Sequence, residues 1–250
     1  MAILAFYNIK GGVGKTASTV NLAYLAGQSG LKTLVWDLDP QAASSFYFRV
    51  KAKVKGGSKE LLAGKYELEQ FIKATDYPNL DLLPSDFSFR HLDLHLDNKK
   101  KPKQQLKKLI KPLIDEYDMI FLDCPPNISL LSEAVFAAAD ALVSPLIPTT
   151  LSLRTLEQLK VFLHEHELNH LPLILFWSMV DKRKKLHKDI IKQCEQSEST
   201  ILSTVIPYAS DIERMGIERK PLPCFVHNSV SVTAYHELWQ EILTHLPIKS

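Results

Sequence analysis

Seven consecutive residues, Lys10-Gly11-Gly12-Val13-Gly14-Lys15-Thr16, combine three glycines with two lysines and a hydroxyl, a set suited to gripping phosphate groups. Glycines let the backbone curl so that successive N–H groups point inward, and a helix starting there adds its positive end. On this reading Gly11 to Ala17 wrap a nucleoside triphosphate, Lys15 reaches its β- and γ-phosphates, and the Thr16 hydroxyl ligates Mg²⁺. Three acids could serve the same phosphates. Asp37 and Asp39 follow the apolar run Leu31 to Trp36, and Asp123 follows Met119 to Leu122. An acid placed directly after a buried strand emerges at the carboxyl edge of a sheet, where α/β proteins place their ligands. Asp123 reads there as the acid that holds the water shell of Mg²⁺ beside Thr16. Asp37 and Asp39, taken alone, fit a loop cap equally well.

The flanking elements must bring these groups together. Ile3 to Tyr7 is an apolar run of strand length, and Val20, Ala23, Tyr24 and Gly27 recur at helical spacing within Ala17 to Gln28. Strand, glycine-rich loop and helix form the context that a phosphate loop requires. Pro40 stops the second strand, and Pro125-Pro126 stop the strand before Asp123. Further strands are expected at Asn79 to Ser85, Ala141 to Ile147, Leu171 to Val180 and Ile201 to Ile206, with short helices at Glu60 to Leu62 and Leu68 to Ile72. Continuous apolar strands alternating with helices predict an α/β fold: a mostly parallel, seven- to eight-stranded sheet with helices on both faces. Residues 1–250 are expected to form one domain.

Three helices carry readable patterns. After Pro102, the residues Leu106, Leu109, Ile110, Leu113 and Ile114 form an apolar stripe, with Lys107, Lys108 and Lys111 on the opposite side. That basic back is either a solvated face or a contributor to DNA or partner binding. Thr150 or Ser152 is expected to cap the helix bearing Leu153, Leu156, Leu159 and Leu163. The final helix, Ser231 to Leu246, is amphipathic through Tyr235, Leu238, Trp239, Ile242 and Leu246, with Glu237, Gln240 and Glu241 on its polar side.

Composition narrows the class. Hydrophobic residues at 46% and charged residues at 23% describe an ordinary soluble globule. Thirty Lys and Arg against twenty-eight Asp and Glu leave +2, so any affinity for nucleic acid must come from local patches. No apolar run reaches membrane-spanning length, and no basic leader precedes the first strand. Cys124, Cys194 and Cys224 are widely spaced, which argues against disulfides, zinc or iron–sulfur clusters and for a reducing cytosol. Cys124 reads as buried packing.

The segments KGGVGKT, DLDPQ and YDMIFLDCPP occur in the order and context of the ParA/MinD family of deviant Walker A P-loop ATPases, which this chain resembles over nearly its whole length. It is most similar to small ParA partition or positioning ATPases without an N-terminal helix-turn-helix, and no such extension is expected before the first strand. The resemblance implies ATP and Mg²⁺ as cofactors and an ATP-sandwich homodimer. In that dimer Lys10 reaches across to the partner's nucleotide and works with Lys15 and Asp39 as the catalytic set. It also implies that Asp39 orients the attacking water, that Asp37 supports the Mg²⁺ held by Thr16 and Asp123, and that Met179, Asp181 and the backbone at Pro207 lie beside the base. Slow hydrolysis would be stimulated by a ParB-like or other adaptor, with the protein cytoplasmic and associated with the nucleoid.

Non-specific DNA would be contacted through Lys182, Arg183, Arg214, Arg219 and Lys220. The chain departs from many relatives in having Tyr208 where they carry arginine after the final Ile-Pro. MinD-like membrane attachment would need a basic amphipathic C-terminal helix, whereas here the last helix carries acids and only Lys249 follows. Metallocluster enzymes on the same loop need cysteines that are missing. An accessory ATPase of a secretion or polysaccharide system stays open as an alternative.

Overall fold

The computed structural model describes residues 1–64, 66–197 and 201–246, so Lys249 lies outside the described residues. The first half of the chain runs β1 (Ala2–Phe6), α1 (Lys15–Gln28), β2 (Thr33–Asp37), α2 (Ala43–Tyr47), α3 (Gly57–Ala63), β3 (Lys73–Ala74), β4 (Leu80–Leu83), α4 (Leu92–Asp97), α5 (Gln105–Ile110) and β5 (Met119–Asp123). The second half adds α6 (Leu130–Ala138), β6 (Ala141–Leu146), α7 (Thr150–Glu165), β7 (Leu173–Val180), α8 (Lys185–Ser197), β8 (Ile201–Pro207), α9 (Ser210–Glu218) and α10 (Val230–His245).

The strands form one eight-stranded sheet in the order β3-β4-β2-β5-β1-β6-β7-β8. Every pairing is parallel except β3 with β4. The expected mostly parallel α/β sheet is therefore present, with one antiparallel edge strand that sequence patterning does not reveal. Its two residues are too few to show a period.

Both faces are covered, which explains the unbroken apolar strands. Leu34, Trp36, Ile120 and Leu122 point to one side and pack with α4, α5 and α6 residues such as Leu96, Leu106 and Phe136. Leu4, Phe6, Val35 and Phe121 point to the other and pack with Val20 and Leu22 of α1 and Leu238, Trp239 and Ile242 of α10. Register then aligns the strand ends. Phe6 sits opposite Asp123, and Asp123 sits opposite Asp37, so the phosphate loop and two acids leave the sheet side by side.

Two local expectations are corrected. The helix after Pro102 is not continuous: 3-10 turns at Pro102–Gln104 and Lys111–Asp115 flank α5. Pro112 has no N–H to continue the ladder. Leu106, Ile110 and Leu113 stay buried, but Ile114 is rotated out and is 45% exposed. Lys107, Lys108 and Lys111 are exposed as expected. Helix α7 is capped by Thr149, not Thr150 or Ser152, and its hydroxyl accepts the Ser152 N–H. Among the described residues no helix is long and apolar enough to cross a membrane.

Candidate active site

The loop between β1 and α1 adopts backbone angles that glycine permits. Gly12 has φ +71° and Gly14 has φ +94°, and at Gly14 a Cβ would stand 2.8 Å from Ser178 Oγ. Gly14 is thus needed twice, for its left-handed angle and for the close approach of β7. Behind it, the Lys15 side chain is almost fully buried and its Nζ donates to the Lys10 carbonyl at 3.3 Å. Burial lowers the Lys15 pKa, opposed chiefly by the charge of Asp123. The Thr16 hydroxyl donates to Asp123 Oδ1 at 3.2 Å. Lys10 itself is only half-buried at the mouth of the loop.

Asp37 and Asp123 are completely buried. Asp37 Oδ2 accepts both the N–H and the hydroxyl of Ser45 at 2.8 Å, and Asp123 Oδ2 accepts the Ser44 hydroxyl at 2.7 Å. Burial, then the neighbouring Asp123 charge, pushes the Asp37 carboxyl up. Burial likewise raises Asp123, although the Ser44 and Thr16 hydroxyls and Lys15 pull the other way. Two buried carboxylates beside a hydroxyl are oxygen donors that fit a hard divalent cation, while the neighbouring Lys15 ammonium, which cannot ligate a metal, suits phosphate oxygens instead. Asp39 is half-buried, and its Oδ1 accepts the Gln41 N–H at 2.9 Å.

A cavity of about 330 Å³ opens over this cluster. Gly11, Gly12, Gly14, Lys15, Thr16, Ala17, Asp39, Met179 and Pro207 line it. Val13 points into the core instead, at 1% exposure. Met179 has φ +54°, a left-handed turn that carries the β7 backbone along the cavity edge. Asp181 is not among the lining residues, and Arg183 grips its carboxylate through Nε and Nη2, both at 2.9 Å. That pairing holds Asp181 well below the usual carboxylate range.

Several lining residues escape sequence reasoning: Tyr47, Ser178, Tyr208, Glu213 and Tyr235. They come from separate elements, and no local spacing marks them. Ser44 and Ser45 could have been found, since they lie just past Asp39 where a short polar helix must turn back toward the acids.

A family model described as an AAA domain matches residues 1–172. The sporulation initiation inhibitor protein Soj of Bacillus subtilis is 30% identical over 246 residues, covering 96% of this chain and 97% of that protein. The chromosome-partitioning ATPase Soj of Treponema pallidum is 29% identical and covers 96% of each. This chain belongs to the ParA/Soj family of P-loop ATPases. The fold agrees: cobyrinic acid a,c-diamide synthase of Mycobacterium smegmatis, solved with an ATP analogue and magnesium, superposes with a TM-score of 0.85. It is 24% identical over 98% of this chain and 95% of that one.

Of the basic residues nominated from the ParA resemblance, three are already engaged. Arg183 holds Asp181, Arg214 pairs with Glu218 at 3.1 Å, and Arg219 donates to the Phe46 carbonyl at 3.1 Å while covering the Phe46 ring. Lys182 and Lys220 have no ion pair among the described residues. Cys124 is buried, its thiol donates to the Leu122 carbonyl, and burial pushes its pKa up, as packing requires.

Proposed function

We infer that this ParA-family chain is a Mg²⁺-dependent ATPase of one domain, residues 1–250, that dimerises around ATP, binds non-specific DNA and positions a chromosome, plasmid or protein cargo. The observation that carries this reading is the convergence of Lys15, Thr16, Asp37, Asp39 and Asp123 at one sheet edge, with Lys10 left at the mouth. The bound group supplies the phosphoanhydride to be cut and a divalent charge to offset phosphate oxygens. The backbone N–H groups of Gly11 to Thr16 cradle the phosphates, and Lys15 meets their negative charge from within the same subunit. Thr16 and Asp123 hold the cation, with Asp37 behind them. Asp39, which faces the cavity, accepts a hydrogen bond from water and aims it at phosphorus. Positioning and preorganised charge of this kind account for most of phosphoryl-transfer catalysis.

Lys10 makes the site sensitive to a second copy of the chain. It sits half-buried at the mouth of a loop whose own subunit is already served by Lys15, and in the dimer it completes the partner's site. Met179 and Pro207 frame the base. A ParB-like or other adaptor accelerates turnover. Membrane attachment through α10 is disfavoured, because Tyr235, Leu238, Trp239 and Ile242 are spent on the core.

The test is light scattering and fluorescence anisotropy with duplex DNA, with and without ATP. An Asp39→Ala chain should dimerise and bind DNA with ATP, and Lys10→Ala should do neither. DNA affinity that ignores ATP, or none in the Asp39→Ala dimer, removes the reading.

A further inference from the structure

A second, larger concavity of about 570 Å³ lies at the β3 edge of the sheet, away from the nucleotide cavity. Arg49, Lys51, Lys53, Lys55 and Lys73 line it around the ring of Tyr66, and among the described residues no carboxylate takes part in the lining. All five cations are exposed. The lysines are anchored without being neutralised. Val54 is buried at 3% exposure, which pins the segment from behind and leaves Lys53 and Lys55 facing out. Lys55 sits 5.4 Å over the Tyr66 ring. Asp86, the acid that Lys53 faces, spends its oxygens on the Val54 and Ser88 N–H groups. Among the described residues no ion pair holds Lys51, Lys53, Lys55 or Lys73.

Arg49 extends this basic surface toward the end of α9. Its Nε donates to the Arg219 carbonyl at 3.1 Å and its Nη2 to the Glu218 carbonyl at 2.9 Å, while Arg219 reaches back to Phe46. The trough, Arg219 and Lys220 therefore lie on one side of the molecule. The segment also follows directly from α2, whose Ser44 and Ser45 hold the two buried acids.

We propose that this trough is the principal DNA-binding surface of the protein, taking the phosphate backbone of duplex DNA with Arg219 and Lys220 at its margin. It rests on the DNA-binding reading above and moves the interface away from Lys182, Arg183 and Arg214. An open trough with charge but, among its described residues, no buried polar group suits backbone phosphates, which need charge and not recognition of a particular base. Its continuity with α2 gives the nucleotide site a short mechanical route to the DNA surface.

The experiment measures anisotropy of a random-sequence duplex with the full chain and ATP across a salt series. Replacing Lys51→Gln, Lys53→Gln and Lys55→Gln together should lower the slope of log affinity against log salt by about 2.7 for each subunit whose trough contacts the duplex, at roughly 0.9 for each phosphate that is no longer neutralised. ATP turnover without DNA should be unchanged, and arginine at the same three positions should restore the slope. The equal charge change Lys107→Gln, Lys108→Gln and Lys111→Gln should leave it intact. A wild-type slope in the first triple variant, or an equal loss in the second, overturns the assignment while leaving DNA binding standing. Wild-type protein that binds no DNA with ATP overturns both.

Discussion

Ser44 donates its hydroxyl to Asp123 at 2.7 Å, across seventy-nine positions of chain, and so ties the helix after Asp39 to the acid at the end of β5. Ser45 does the same for Asp37. Two adjacent serines thus satisfy two buried carboxylates and fix where the Asp39 loop turns back. Ser44→Ala leaves Asp123 with Thr16 as its remaining side-chain donor, in full burial. Leaving a buried acceptor short of a partner costs about 1–3 kcal/mol. Urea unfolding should show that loss, and ATP turnover should fall with it. Unchanged values in both would mean that the serine is incidental.

Gly14 is held at φ +94°, and its missing Cβ would meet Ser178 Oγ at 2.8 Å. Gly14→Ala should abolish nucleotide binding in a fluorescent-analogue titration. The left-handed angle alone costs about 1–2 kcal/mol for a residue with a Cβ. Adding Ser178→Ala relieves the clash but not the angle, so the double variant should remain less stable than Ser178→Ala alone. Full recovery would assign the whole effect to the clash.

Asp39 lines the cavity, whereas Asp37 and Asp123 lie beneath it. Asp39→Ala should therefore keep ATP affinity within a few-fold while hydrolysis drops by about 100-fold or more, the usual scale for a positioned acid–base group. Equal losses in binding and turnover would place Asp39 among the phosphate or metal ligands instead.

Strand β8 is the sheet edge opposite β3, and Glu241 of α10 covers part of it. Its carboxylate accepts the Ser203 N–H at 2.7 Å, the Ser203 hydroxyl at 2.9 Å and the Thr204 N–H at 2.9 Å. Partial burial pushes the other way, but these donors hold Glu241 below the usual glutamate range. A depressed folded-state pKa stabilises the fold above the unfolded value of about 4.3 and loses that effect as pH falls through the folded value. Glu241→Gln should cost about 1–2 kcal/mol at neutral pH. The gap from wild type should close as pH falls past the unfolded-state value and through the lower folded-state one. Thermal unfolding across pH checks this, and a gap independent of pH would mean that the charge is irrelevant.

The phosphate loop is legible because its chemistry is local: glycine for the left-handed turns, lysine and threonine at adjacent positions, all inside one strand-to-helix connection. The acids are legible for a related reason, since apolar runs that end in aspartate must release it at a sheet edge. Asp181 follows β7 in the same way, yet an arginine two residues on claims its charge. The stripe after Pro102 misleads at Ile114 because periodicity carries the helix past Pro112.

From its sequence alone this chain declares its family, its triphosphate loop and the polar ends of its strands, since each depends on residues close together in the chain. Tertiary structure alone decided the rest. Register put Asp37 and Asp123 side by side, and packing brought Ser44, Ser45, Tyr47, Ser178 and Tyr235 to the same place. It also decided which cations stay free, because Arg219 reaches the Phe46 carbonyl only once the chain has folded, whereas Arg183 and Arg214 take partners two and four residues away, and Lys51, Lys53 and Lys55 form no ion pair among the described residues. Charge can be counted along a chain, but whether it is neutralised depends on what lies within a few ångströms in space.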